Sequence, residues 1–323
     1  MKAYPDCFPC MLRTSLTAAR LVGAREEIVW EIVREVAPLL ARSLPGRPPI
    51  AASPEAQRTV RRILGVPDPF AEAKRRANRE ALGLLPRLRE QAARAEDPLA
   101  FLLRLSASGN TADLGAQTHF DLTAAAGESA GGSWGRFDYE PFKALLATAR
   151  TVLILADNAG EIAFDRLLCE ELARLGKRVT VAVRGAPTLN DATIEDAREV
   201  GLPEVAEVIT TGADHPGVLL SKCSQDFRRC FQEADLVISK GMGNFEGLSD
   251  EPGPIFFLFK AKCAPVAQEL GVEVGELVLA AGRFDSGGRP GQSWIGGDDG
   301  DPARGAVRGV PAPTRVQHHA HQA

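Results

Sequence analysis

The sequence predicts an α/β protein: a Rossmann-like, doubly wound, mostly parallel sheet preceded by an all-helical N-terminal domain. Three observations carry this. Helical apolar periodicity fills residues 11–108, and no strand signal precedes position 150. From residue 151, short apolar runs alternate with amphipathic stretches. The centres of four such runs, Leu153, Val181, Val208 and Val237, lie 28, 27 and 29 residues apart, the length of a βα unit.

The elements follow in order. Residues 25–42 carry Ile28, Val29, Ile32, Val33, Val36, Leu39 and Leu40 at helical spacing, and Trp30 reads as part of that core stripe. Ser53-Pro54 reads as an N-cap followed by proline in the first turn. Residues 70–95 form a long helical pattern, kinked or broken near Pro86. Asp97-Pro98 opens a short helix through Leu105, and residues 125–137 read as a loop. Strands are expected at 151–157, 178–183, 205–210 and 235–239, with further edge strands at 254–259 and 277–281. Helices are expected between them at 162–176, 191–201 and 221–234. The organisation expected is a helical domain over 1–150, an α/β domain over 151–281 and a tail over 282–323.

Composition bounds the function. With 323 residues, 45% apolar and 25% charged, the chain has ample material for a core. Lys+Arg number 38 against 42 Asp+Glu, a net charge of −4, which argues against non-specific nucleic-acid binding. Residues 282–323 hold 9 Gly and 4 Pro, a composition read as disordered. No apolar run reaches the ~18 residues of a membrane span. The first residues lack the apolar core of a secretory signal. Six cysteines in a chain this long read as reduced thiols of a cytoplasmic protein. Nothing in the sequence reports oligomeric state.

Open α/β sheets bind ligands beyond the carboxyl ends of their strands. Here those ends carry Asp157-Asn158-Ala159-Gly160-Glu161, then Arg184-Gly185 running on to Asn190-Asp191, then Thr210-Thr211-Gly212, then Lys240-Gly241-Met242-Gly243-Asn244. Carboxylates, amide oxygens, a lysine and glycines on one rim suit a hard divalent cation with a phosphate beside it. Each piece has a plainer explanation. Asp157-Asn158 and Asn190-Asp191 are also good helix caps, and Gly-x-Gly is also a flexible turn. Convergence on one rim favours the functional explanation, because two acids and a lysine gathered there are costly without a ligand.

These residues resemble a known family, the domain-of-unknown-function-89 proteins, or metal-dependent damage-control phosphatases, which share an acidic-residue-methyltransferase-like metal-binding fold. The matching stretches are CFPC (7–10), GNTADLG (109–115), DNAGEIAFD (157–165), VRGAPTLNDATIEDA (183–197), SKGMGNFEGL (239–248) and KAKCAPVA (260–267). The early CxxC resembles that of a prokaryotic branch. The resemblance implies that Asp157, Asn158 and Asp191 hold the metal. It implies that Lys240, Gly241, Gly243 and Asn244 hold the phosphate, and that Asn110 and Asp113 approach the same cleft. The substrates implied are sugar phosphates or damaged phosphorylated metabolites.

The chemistry expected is phosphomonoester hydrolysis with Mn²⁺, Mg²⁺, Co²⁺ or Ni²⁺ as cofactor. Such ions accept carboxylate and amide oxygens and polarise a phosphoryl oxygen. Asp157, Glu161 and Lys240 are the catalytic candidates, with Glu161 as a base or orienting group. Arg184 and Asn190 are candidate substrate contacts. The nucleophile is open between a water and a carboxylate. The partner expected is a small phosphorylated molecule, with no nucleic acid and no membrane. Three other readings compete. A haloacid-dehalogenase site wants a second Asp where Ala159 stands. A methyltransferase wants a richer glycine loop than Asp157-Asn-Ala-Gly. A binding module would hold metal and phosphate without turnover.

Cys7 and Cys10 read as a structural or unassigned pair rather than a catalytic one: a structural zinc site needs four ligands and no second CxxC follows, with Cys263 the best remote partner. Cys169, Cys223 and Cys230 read as buried small hydrophobes. His119 reads as structural, and His318, His319 and His321 as part of the tail.

Overall fold

The computed structural model of the chain describes residues 1–109 and 133–283. Of the expectations above, Asn110, Asp113, His119 and nearly all of the tail lie outside them. Residues Met1–Phe284 form one compact unit.

The chain opens with α1 (Cys7–Leu21), α2 (Glu26–Ser43), α3 (Pro49–Leu64), α4 (Ala71–Arg94) and α5 (Pro98–Gly109). Helices α1–α3 pack on one another around Ile32, Val36, Leu40, Ala52, Val60 and Phe70. Trp30 is 53% exposed and donates to Glu26, so it sits on the solvent side of α2 and outside that core. Its place in the sequence stripe was off by one step around the helix. Ser53 is likewise not a cap: α3 begins four residues earlier, at Pro49, and Ser53 is buried in its first turns. Helix α4 continues through Pro86 to Arg94 without a break.

A seven-stranded sheet follows: β1 (Trp134–Phe137), β2 (Thr151–Leu155), β3 (Arg178–Val183), β4 (Glu207–Thr210), β5 (Leu236–Lys240), β6 (Ile255–Lys260) and β7 (Leu277–Ala281). The helices among them are α6 (Tyr139–Thr148), α7 (Glu161–Arg174), α8 (Ile194–Glu199), α9 (Gln225–Glu233), α10 (Gly241–Leu248) and α11 (Ala264–Leu270). Strand order is β1-β7-β6-β5-β2-β3-β4. Strands β4, β3, β2, β5 and β6 are parallel, while β7 runs antiparallel to β6. Strand β1 corrects the sequence reading, which placed a loop there. It is short, mostly exposed and pairs only with β7.

Side chains alternate across the sheet with period two. Val152, Ile154, Val181, Ile238, Phe256 and Leu258 face α5, α6 and α7, with Phe142 and Phe164 beneath them. Leu153, Leu155, Val237, Phe257 and Phe259 face the other side, against Phe227 and Phe245. Burying one such phenylalanine stabilises the fold by roughly 1.5–3 kcal/mol.

Strand β2 lies between β3 and β5, so the chain leaves it in opposite directions on its two sides. That is the topological switch point, where a crevice opens at the carboxyl ends of the strands. Helices α4 and α5 pack on α7, and α10 packs on α3, so helices from the first part of the chain wall this crevice. Among the described residues, no helix is long and apolar enough to cross a membrane.

Candidate metal and phosphate site

Two loops zip together beyond β2 and β3. Asn158 and Asp191 form an isolated antiparallel bridge. The Ala159 amide donates to the Asn190 carbonyl at 2.9 Å, and the Ala192 amide to the Asp157 carbonyl at 2.7 Å. This backbone pairing brings Asp157, Asn158 and Asp191 to one place, although 33 residues separate Asn158 from Asp191.

The three side chains are buried, at 9%, 5% and 3% exposure. Asn158 Nδ2 donates to Asp157 Oδ2 at 2.8 Å and to Glu161 Oε2 at 3.3 Å. Its amide hydrogens are thus used within the protein, which leaves the amide oxygen as the atom that could face a cation. Burial pushes the Asp191 carboxyl up; the Arg184 guanidinium opposes this and the charge of Asp157 reinforces it. Arg184 Nε donates to Asp191 Oδ2 at 2.6 Å, and Nη1 to Asn244 Oδ1 at 3.2 Å. Its Nη2 stands 3.6 Å from Asp157 Oδ1 and has no hydrogen-bond partner.

The start of α10 closes the site from above β5. Gly241 has φ +76°, and a Cβ there would stand 2.1 Å from Asp157 Oδ2. Only glycine both adopts this backbone and lets the helix N-terminus approach the carboxylate so closely. A helix N-terminus favours negative charge, whether carboxylate or phosphate. The Lys240–Asn244 segment is therefore a strand end and a helix start, not a flexible turn.

Lys240 is fully buried behind this layer. Its Nζ donates to Glu161, to Asp165 Oδ1 at 2.7 Å and to the Ser106 carbonyl at 3.2 Å. Burial alone would lower its pKa, but Asp165 and Glu161 outweigh that and hold it above the ordinary lysine value. Burial pushes Asp165 up; Lys240 opposes this and Glu161 adds to it.

A cavity of about 270 Å³ lies in front of the site. Of the expected residues, Asp157, Asn158, Asn190, Asp191 and Gly243 line it. Arg184, Glu161, Lys240, Gly241 and Asn244 do not line it; they sit behind its wall. Sequence reasoning missed the rest of the lining, including Ser53, Phe70, Met242, Glu246 and Lys262. It also missed Ser106 and gave no role to Asp165, although Asp165 closes the DNAGEIAFD stretch and lies one helical turn after Glu161. Leu189 is the one non-glycine described residue with positive φ, at 47°, and it too lines the cavity. Such strain concentrates at functional sites. A larger groove runs along β3, β4 and α9, and none of the expected site residues lines it.

Cys7, Cys10 and Cys263 line the same cavity as Asp157, and none of the three is in a disulfide. Among the described residues, no three His, Cys, Asp or Glu side chains converge as a metal site. Two carboxylates and an amide oxygen braced by a buried guanidinium do fit a hard divalent cation.

Fold and rim together define a Rossmann-like α/β protein with an acidic, amide-bearing site at its topological switch point. The chain belongs to the damage-control phosphatase ARMT1-like domain family, whose sequence profile matches residues 3–278. It is 38% identical to a damage-control phosphatase of Archaeoglobus fulgidus over 285 residues, 86% of this chain and 98% of that protein. It is 34% identical to an uncharacterised protein of Methanocaldococcus jannaschii over 294 residues, 86% of this chain and 95% of that protein. The crystal structure of a domain-of-unknown-function-89 protein from Pyrococcus horikoshii matches with a TM-score of 0.78 and 30% identity, covering 88% of this chain and 100% of that one.

Proposed function

We propose that the protein is a divalent-cation-dependent phosphomonoesterase acting on small phosphorylated metabolites, damaged ones or sugar phosphates among them. The observation that carries this is the convergence of Asp157, Asn158 and Asp191 on one cavity at the N-terminus of α10. Relatives named damage-control phosphatases support the reading.

Asp157, Asn158 and Asp191 would hold Mn²⁺, Mg²⁺, Co²⁺ or Ni²⁺. When bound, the cation supplies Lewis-acid stabilisation of charge on the phosphoryl oxygens. The chain's own groups do the rest. The first turn of α10, through Gly241 and Gly243, offers amide hydrogens and a favourable dipole to the phosphate. Asn190 lies on the cavity wall, where it meets the substrate. Asn244 and Arg184 fix each other and the two carboxylates. Glu161 touches both Asn158 and Lys240, so it orients the amide ligand from behind the cavity wall; that position favours the orienting role over that of a base. Lys240 supplies the compensating positive charge behind the site. Water or the Asp157 carboxylate is the nucleophile.

The test is a phosphometabolite panel on chelator-stripped protein, crossed with the four metals. Metal-dependent phosphate release that Asp157→Ala abolishes in a folded protein is the expected result. No release with any pairing would favour a module that binds without turnover.

A further inference from the structure

Helix α4 carries a buried polar group that touches one loop of the site and the helix that follows the other, and nothing above gives it a role. Asn78 is fully buried. Its Oδ1 accepts from the Gly160 amide at 2.7 Å. Its Nδ2 donates to Asp196 Oδ1 at 3.1 Å and to Glu199 Oε2 at 2.7 Å. Gly160 lies two residues after Asn158. Asp196 in turn accepts from the amide of Thr193 at 2.9 Å and from its hydroxyl at 2.8 Å, and Thr193 lies two residues after Asp191. One amide therefore ties the Asp157–Asn158 loop to α8, the helix that follows directly on the Asp191 loop.

The contact is close on both sides. Gly160 has φ +80°, and a Cβ there would stand 2.9 Å from Ala77 Cβ on α4. Lys74, one turn before Asn78, donates to Asp196 Oδ2 at 2.9 Å and pairs with Asp68 Oδ2 at 3.2 Å. Asn78 suits the position because it accepts from one loop and donates to the helix after the other with a single planar group. A carboxylate would repel Asp196 and Glu199. An apolar side chain would leave the Gly160 amide and the two acids without their partner.

We propose that Asn78 is a positioning residue for the divalent-cation site: from the helical part of the chain it sets the spacing of the Asp157–Asn158 and Asp191 loops. This rests on the cation reading given under Proposed function. Groups that orient metal ligands typically change metal affinity by 10–100-fold when removed.

The experiment is a Mn²⁺ titration by calorimetry on the full chain after chelation, with thermal unfolding recorded with and without Mn²⁺. The variants are Asn78→Ala, which removes both contacts, and the isosteric Asn78→Asp, which keeps an acceptor for the Gly160 amide but loses the donor to Asp196 and Glu199; the unfolding curve shows which of them is folded. Arg89→Ala is the control; it removes the α4–α7 ion pair of Arg89 with Glu170, away from the site. A 10–100-fold rise in the Mn²⁺ dissociation constant is expected for the Asn78 variants, with a smaller Mn²⁺-induced rise in melting temperature. Arg89→Ala should keep wild-type affinity. An Asn78 variant that melts lower yet binds Mn²⁺ as wild type does would overturn the proposal and leave Asn78 a packing residue. If the wild-type chain itself binds no Mn²⁺, the cation reading falls, and the proposal with it.

Discussion

Arg184 donates from Nε to Asp191 Oδ2 across 2.6 Å, both side chains almost wholly buried. This guanidinium keeps two candidate ligand carboxylates together without a cation. Removing one partner of a buried charge pair typically costs about 3–5 kcal/mol, because the other is left uncompensated. Arg184→Met is therefore expected to lower the urea midpoint strongly in chelator, and Mn²⁺ should restore part of the loss. Equal midpoints for variant and wild type in chelator would show that the brace carries no stability.

Gly241→Ala tests the approach of α10 to Asp157. The added methyl collides with the carboxylate in a backbone conformation that alanine rarely adopts. Misplacing a site group by an ångström costs on the order of 100-fold in rate. The variant should lose about that much kcat/KM while its circular dichroism remains native. Unchanged turnover would mean that Asp157 moves aside freely.

Lys240→Met separates a surface-type phosphate contact from a buried counter-ion. A contact alone would leave stability intact. The observed pairing with Glu161 and Asp165 instead predicts destabilisation of about 3–5 kcal/mol. Adding Glu161→Gln to Lys240→Met should recover part of it, as read by denaturant titration.

Glu246 gives the fold a pH dependence. Burial pushes its carboxyl up from 4.5 to about 7; the Ile50 amide and the Met1 ammonium pull the other way without overcoming it, and Asp157 adds to the rise. The folded state thus holds a proton that the unfolded chain releases. Its contribution is fully present below about pH 4.5 and is lost as pH rises through about 7. At ~1.4 kcal/mol per pKa unit, Glu246→Gln should stabilise the metal-free protein by up to about 3 kcal/mol at pH 8 and change little at pH 4. Parallel stability curves for variant and wild type would refute this.

The buried strands were legible because a strand buried on both faces reads as a continuous apolar run; residues 178–183 and 277–281 match β3 and β7 at both ends, although β6 and β7 were expected at the edge of the sheet and lie inside it, with β1 beyond them. Strand β1 was not, since Trp134-Gly-Arg-Phe has neither an apolar run nor alternation and gains its pairing only from β7. The strand-end residues of the site were legible from topology and motif. The orientation of Lys240 and Arg184 was not, because it depends on Asp165, Ser106 and Asn244 meeting them in space. Asn78 was the least visible, being one polar residue among many on a charged helix, with its partners more than 80 residues away.

Strand β6, Ile255-Phe-Phe-Leu-Phe-Lys, is buried along nearly its whole length, with both edges occupied by β5 and β7. Its sequence combines high β-propensity and hydrophobicity with a single charge, the signature of a segment that self-associates once uncovered. Strand β7 arrives last in the sheet and runs against the direction of its neighbour, so until it docks, one side of β6 is an open template. Variants that loosen β7 from β6 are thus expected to be lost to aggregation rather than to remain as soluble unfolded chain.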